Sequence, residues 1–289
     1  LTLYNQAAIN DGLPAKFSQS EIDATGTSPM YPDINWKEET LKEFTDLSRA
    51  NLSVQGGSQF IRYFINFGVL NNNGIYKPSN PGINSDAKLR RINLRSNFDL
   101  QITKSTVFSM DLYGAVDDRN QPAQDAQNIW HAIYTLPPNA FNVVNPNGTY
   151  GGTSIFTNNP VAMIEASGNS HTNTRFLNAG FHIKQDLSSL IKGFSASIGY
   201  FIDNSTSIAD GKWRNFLISQ IASGEDEYYT YGEDTEYYDW NNSDGSRFTG
   251  IDAEIIYDMG KRNGHHVNAM VRFQSDQEWR NNSDLTPYI

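Results

Sequence analysis

The sequence predicts an all-β fold, an antiparallel up-and-down meander of eight strands forming part of the wall of a large transmembrane β-barrel. Three observations predict it. Eight stretches alternate apolar and polar residues with a period of two, so that each carries one apolar and one polar face. The stretches come in pairs joined by tight turns. Long, aromatic-rich loops join one pair to the next. Alternation alone fits a soluble sandwich as well, but short turns at one end with long loops at the other are the pattern of a membrane barrel wall.

Residues 1 to about 48 are not strand-like. Leu3–Ile9 and Glu38–Leu47 have helical character, separated by a turn-rich stretch with Pro14, Gly26, Pro29 and Pro32. Asn51–Gln55 is a short strand closed by Gly56-Gly57-Ser58, where glycine permits a positive φ. Arg62–Leu70 follows, with Tyr63, Ile65, Phe67 and Val69 on its apolar side, and then an Asn/Gly/Pro loop at 71–88. The clearest pair comes next. Ile92, Leu94, Phe98, Leu100 and Ile102 oppose Arg91, Asn93, Arg95, Asn97, Asp99 and Gln101. After Lys104-Ser105-Thr106, Phe108, Met110, Leu112 and Val116 oppose Ser109, Asp111, Tyr113, Ala115 and Asp117.

The long segment 118–173 carries a short helix at Ala126–Tyr134, stopped by Pro137-Pro138. So long a connection points to a functional loop. Alternation resumes at Leu177, Ala179, Phe181 and Ile183, and after a compact turn at Phe194, Ala196, Ile198, Tyr200 and Ile202. A third long loop, 204–247, has strand-like pieces of its own. The last pair is Ile251, Ala253, Ile255 and Tyr257 with Val267, Ala269, Val271 and Phe273, joined by Lys261–Gly264.

Composition narrows the function. A net charge of -10 argues against nucleic acid, whose phosphates require a basic face. The mean hydropathy of -0.54 argues against a helical membrane protein but not against a barrel, whose lumen and loops are polar. With no cysteine there is no disulfide, thiolate metal site or cysteine nucleophile. The chain starts at Leu1-Thr2-Leu3-Tyr4 without a signal peptide and stops at Pro287-Tyr288-Ile289 in a loop-like stretch, so it reads as a segment of a longer protein.

No catalytic motif is present: there is no H-E-x-x-H, phosphate-binding glycine loop or G-x-S-x-G. A glycoside hydrolase needs a positioned carboxylate pair, and nothing singles out two of the many acids. His265-His266 beside a tight turn fits a turn or rim role, since neighbours on a strand face opposite ways. Asp239–Gly245 has its glycine one place late for a calcium loop and lacks the distal Glu. We therefore expect no enzyme, no cofactor and no metal.

The candidate sites are aromatic and charged. Between Glu225 and Trp240, acidic residues interleave with Tyr228, Tyr229, Tyr231, Tyr237, Tyr238 and Trp240. This is either a solvated protruding loop or a partner-docking surface. Trp130, Tyr134, Phe141 and Tyr150 suit stacking on sugar rings, packing a partner or packing the loop itself. In a barrel Arg91, Arg95, Asp99, Asp111 and Asp117 face the lumen. In a soluble sandwich they face solvent.

Several blocks carry a family resemblance. Tyr31-Pro32-Asp33-Ile34-Asn35-Trp36-Lys37-Glu38-Glu39, Asn51-Leu52-Ser53-Val54-Gln55-Gly56-Gly57-Ser58, Arg62-Tyr63-Phe64, Gly74-Ile75-Tyr76 and Arg91-Ile92-Asn93-Leu94-Arg95-Ser96-Asn97 lie in matching order and spacing. Leu136-Pro137-Pro138-Asn139, Asn147-Gly148-Thr149-Tyr150-Gly151-Gly152, Asn159-Pro160 and Lys192-Gly193-Phe194-Ser195 extend the match. Together they resemble the SusC/RagA family, TonB-dependent outer-membrane transporters of Bacteroidetes.

The resemblance implies a barrel of about 22 strands with a plugged lumen, of which this chain supplies eight. Residues 1–48 would be an extracellular loop region, and 49–289 a partial wall with extracellular loops at 71–88, 118–173 and 204–247. It further implies uptake of an oligosaccharide or a peptide, a SusD-like lipoprotein as lid, and a TonB complex acting through a plug outside this chain. The acidic tyrosine loop matches no family block. A soluble or surface β-rich carbohydrate-binding module is the alternative.

Overall fold

The computed structural model describes residues 1–77, 85–222, 227–262 and 265–285. In chain order its elements are α1 (Thr2–Asn10), α2 (Gln19–Ala24), α3 (Trp36–Thr40), β1 (Leu47–Gly57), β2 (Ile61–Asn73), β3 (Lys88–Thr103), β4 (Thr106–Pro122), α4 (Ala126–Thr135), β5 (Tyr150–Gly151), α5 (Pro160–Glu165), β6 (Gly168–Asp186), β7 (Phe194–Trp213), β8 (Ile218–Ile221), β9 (Tyr228–Tyr231), β10 (Tyr238–Arg262) and β11 (His265–Leu285). Eight of the strands form one antiparallel sheet in the order β1-β2-β3-β4-β6-β7-β10-β11. Every neighbour in space is the next wall strand in sequence, so the chain is the up-and-down meander its alternation predicts. The sheet is not closed: β1 and β11 each keep one outer edge. A second sheet, β5-β8-β9, is built from the long connections.

The pairing brings the apolar residues into rows. Ile61, Leu100, Phe108, Ile183, Ile198, Ala253 and Phe273 are cross-strand partners in one continuous line. Nearer the loop end Leu52, Phe67, Leu94, Gly114 and Leu177 form another row, which then turns polar at Asn204 and Arg247. The apolar band thus crosses the register obliquely. On β3 it runs from Ile92 to Ile102, while on β10 it starts at Ile251. Strands in a barrel tilt by roughly 35–45° to its axis, and a band of constant height must then cut the rows at a slant. No described helix is long and apolar enough to cross a membrane. Most of the exposed large apolar side chains lie on the wall strands, with others such as Leu3, Leu13, Ile155 and Leu190 in helices and loops.

The wall strands are longer than alternation shows. β1 starts at Leu47 rather than Asn51, β4 reaches Pro122, β6 begins at Gly168, β7 runs to Trp213 and β10 begins at Tyr238. The long connections therefore shrink to 123–167 and 214–237. These extensions, such as Asn241-Asn242-Ser243-Asp244-Gly245, are polar on both faces, so they lack a period-two signal while their backbones remain fully paired. The stretch Asp239–Gly245 is thus strand, not a cation loop. Likewise, Glu38–Leu47 is not one helix: α3 ends at Thr40, Leu41 bridges to Tyr76 and β1 opens at Leu47.

Among the turns, Gly193 shows why glycine is needed. It sits at φ 83°, and a Cβ there would run into the Asp258 carbonyl. That close approach lets Asp258 N–H donate to Gly193 O at 2.7 Å, fastening the turn to β10.

Candidate functional site

The well-buried apolar cluster is not in the wall. It lies where the long connections fold together at one end of the sheet: Trp36, Leu41, Tyr76, Ile129, Ile133, Leu136, Phe141, Met163 and Ile164 are packed as one core. We call this unit the cap.

Local sequence positions each part. Asn35 caps α3 by accepting from Glu38 N–H. Asp125 caps α4 by accepting from Gln127 and Asn128, and Pro137-Pro138 follows the Leu136 terminus. Asn159 caps α5 with Pro160 at its first turn, and its own amide donates to Val143 O and Gly151 O at 2.9 Å each. The segments are then cross-tied. Trp36 Nε1 donates to Pro137 O at 3.1 Å, its ring lies 5.0 Å from that of Phe141, and Asn145 donates to Ser219 O at 2.8 Å.

The four loop aromatics part company here. Phe141 is buried against Trp36. Tyr150 is half-buried, edge-on to Phe216, and donates to Glu165 at 3.5 Å. Burial and then the Glu165 carboxylate push the Tyr150 phenol up to about 12. Burial also raises Glu165, partly offset by the tyrosine hydroxyl. Trp130 and Tyr134, one turn apart on α4, stack at 5.6 Å and 15°. Trp130 packs on the core, and Tyr134 is 70% exposed. Of the four, the Trp130–Tyr134 pair alone offers an accessible ring system.

The acidic tyrosine stretch also divides. Glu225 and Asp226 lie outside the described residues. Tyr228, Tyr229 and Tyr231 form β9, paired to β8, with Tyr231 hydroxyl donating to Gln220 at 3.1 Å. Tyr237 donates to Ala166 O at 2.9 Å and lies 4.9 Å below the Arg214 guanidinium. Burial raises its phenol, against the opposing pull of Arg214. Tyr238 and Trp240 stand on β10 in the wall.

On the polar face of the wall the five charged candidates are all engaged. Arg91 is bound by two hydrogen bonds to Asp117, and Asn97 donates to Asp111. Arg62 pairs with Asp99 at 3.4 Å, Ser109 donates to Asp99 at 2.7 Å, and Arg95 lies 5.7 Å over the Tyr113 ring. Sequence reading missed the continuation of this pattern. Asp252, 4% exposed, meets Arg272 at 3.7 Å, and Arg272 also reaches Glu254 at 3.4 Å. The signal was present as Asp252 and Glu254 alternating with Ile251, Ala253 and Ile255. Among the described residues no group of three His, Cys, Asp or Glu side chains is arranged to hold a metal ion. The side chains of His265 and His266 lie outside the described ones.

No protein-family model matches this chain, and no curated protein matches it. Among solved structures it is similar in fold to the RagAB peptide importer in its 'closed-closed' state, with 15% identity, a TM-score of 0.50, and coverage of 95% of this chain and 33% of that one. The 'open-open' state of the same importer gives 15% identity, TM-score 0.48 and coverage of 93% and 34%. A further structure of the RagAB peptide transporter gives 16%, 0.46, 92% and 34%. The chain spans about a third of the length of these structures.

Proposed function

We propose that this chain is part of the wall and mouth of a SusC-like, TonB-dependent outer-membrane transporter. The observation that carries the reading is the oblique apolar band left exposed on one face of eight consecutive wall strands, opposite a face of paired charges. A soluble sheet of this size covers such a face, and no described element covers this one. In a bilayer, lipid does. The paired charges then face a polar lumen. The cap stands at the extracellular mouth, because long loops gather at that end.

In this reading residues 1–46 and the described parts of the connections 74–87, 123–167 and 214–237 form the mouth, and the wall strands lie between Leu47 and Leu285. The missing strands of the barrel and the plug that contacts TonB come from outside the chain. The transported compound is an oligosaccharide or a peptide, trapped beneath a SusD-like lipoprotein. Trp130 and Tyr134 meet the ligand, while Phe141 and Tyr150 hold the cap in shape. Tyr229, exposed on β9, together with Tyr238 and Trp240 at the start of β10, is the docking surface for the lipoprotein. No covalent chemistry is involved.

Fractionation tests the proposal. The native polypeptide carrying this sequence should be recovered in outer-membrane extracts, be soluble only with detergent, and co-purify with a lipoprotein. Recovery of a detergent-free soluble form would replace the transporter with a carbohydrate-binding module.

A further inference from the structure

Toward the cap, the apolar band of the wall ends on a line of arginines. On β3, Arg90 stands on the face of Ile92 and Leu94, one pleat nearer the cap. On β6, Arg175 stands in the same way above Leu177, and on β10 Arg247 stands above Thr249 and Ile251. All three are exposed. We propose that this line binds the headgroup of a lipid carrying two phosphate groups, whose chains lie on the apolar band. The inference rests on the transporter reading for the bilayer, while its chemistry comes from the arginines and their surroundings.

The register gives the line its slope. Arg90 faces Asp118, which faces Asn173, two residues short of Arg175. Arg175 faces Thr206, which faces Gly245, two residues short of Arg247. Each step crosses two strand spacings and descends two residues, so neighbouring arginines stand about 12 Å apart on a line sloping by about 35°. Barrel strands tilt by roughly 35–45°. The arginines therefore share one height in the barrel, at the edge of the band. Trp279, 55% exposed, is the cross-strand partner of Arg247, and aromatic girdles mark the membrane interface of such walls.

Charge singles these arginines out. The acids of this face are already engaged. Asp86, just before β3, pairs with Lys88 at 3.2 Å, and Asp239 with Lys212 at 3.2 Å. His171 is hydrogen-bonded to Asp210 at 3.0 Å and to Asp118 at 3.2 Å. Arg90 has no hydrogen-bond or ion-pair partner among the described residues. Arg175 and Arg247 each donate only to a neutral neighbour, Asn173 at 2.9 Å and Asn204 at 3.5 Å. On the opposite face, by contrast, Arg62 and Arg91 are paired with Asp99 and Asp117.

Unbalanced guanidinium groups along the edge of an apolar surface match an anion that arrives with hydrocarbon chains. Phosphate suits their planar fork, which it accepts in two parallel bonds. Spacing then sets the number of phosphates. With Arg175 and Arg247 each tethered to an asparagine, one phosphate does not meet both. Two phosphates at opposite ends of a disaccharide headgroup do.

The test is native mass spectrometry of the full-length parent protein in mild detergent, titrated with lipid. The probes are bisphosphoryl lipid A, its monophosphoryl and dephosphorylated forms, cardiolipin and phosphatidylethanolamine. Bisphosphoryl lipid A should bind tightest, with a several-fold loss for one phosphate and at least tenfold for both. Arg175→Gln combined with Arg247→Gln should weaken it at least tenfold and Arg90→Gln several-fold. Lysine at positions 175 and 247 should retain most of the affinity, and Arg119→Gln, on the opposite face of β4, all of it. Should the double glutamine variant fail to fold, the phosphate series on the unaltered protein carries the test. Equal binding of the dephosphorylated lipid, tighter binding of cardiolipin, or unaltered affinity in the double variant overturns the proposal. A parent protein in the outer membrane with no phosphate preference sinks this inference alone. One that is soluble without detergent, yet binds bisphosphoryl lipid A through these arginines, sinks the transporter reading alone.

Discussion

The wall and the cap use the same apolar residue types under opposite rules. In the wall Leu94 is 48% exposed, Leu177 49% and Ile255 50%, although all three sit on interior strands paired on both sides. In the cap Ile129 is 0% and Trp36 3% exposed. The cap is a small water-soluble core held by burial. The wall is held by its hydrogen-bonded ladders, and no described element covers its apolar face; in the transporter reading proposed above, lipid does. The comparison teaches that side-chain polarity does not place a residue inside or outside. What decides is the medium each face meets.

Perturbing each region separately should break or sharpen that contrast. The largest effect belongs to Trp36→Ala, which removes the ring packed on Phe141 and the bond to Pro137. It should cost the cap about 3–5 kcal/mol, seen as rapid hydrogen exchange and proteolysis in 123–167, with the wall ladders still protected. Loss of wall protection in the same variant would show that the two regions are one unit. Next comes Leu177→Arg on the apolar band. In lipid vesicles it should destabilise by about 2–4 kcal/mol. A change within about 0.5 kcal/mol, the usual result at a water-exposed site, would mean that this face meets water.

Smaller again is Asp117→Ala on the polar face. It strips Arg91 of its carboxylate, but Arg91 is half-exposed and water replaces part of the loss. About 1 kcal/mol is expected, measured by urea unfolding of the protein in detergent. The smallest effect is at Glu165, whose folded-state value is raised above 4.5 by burial. Below its unfolded value the group is protonated in both states and carries no penalty. As pH rises through the folded value, the folded cap holds the proton longer and loses stability relative to the unfolded chain. Glu165→Gln should therefore raise the cap's melting temperature slightly at pH 7 and leave it unchanged near pH 4. An equal shift at both values would exclude ionisation as the cause.

Much of the wall was legible because its signal is local. Ile92 to Ile102 and Phe108 to Val116 alternate within single strands, and the turn at 104–106 separates them. Strand ends were not legible, since Asn241–Gly245 pairs through its backbone and presents polar residues on both sides. α4 was legible from its length and the Pro137-Pro138 stop. α2 and α5, each of six residues, are too short to show a helical period. The cap was the hardest part. Phe141 and Tyr134 are both loop aromatics in the sequence, yet the first is core and the second surface. The distinction depends on Trp36, far away along the chain. The Arg214–Asp234 pair over the Tyr237 ring was not legible for the same reason, since its three residues meet only in the tertiary structure.

The Trp36–Pro137 tie spans 101 residues and the Asn145–Ser219 tie spans 74. Each β-hairpin in the wall closes over a few residues. Loop-closure entropy grows with the segment enclosed, and non-local contacts form slowly. The cap is therefore expected to form late, after the hairpins have drawn its distant pieces together. On that expectation, cap closure should follow the ordering of the strands from β1 to β7, and the time course of protease resistance at 123–167 against wall protection would check it.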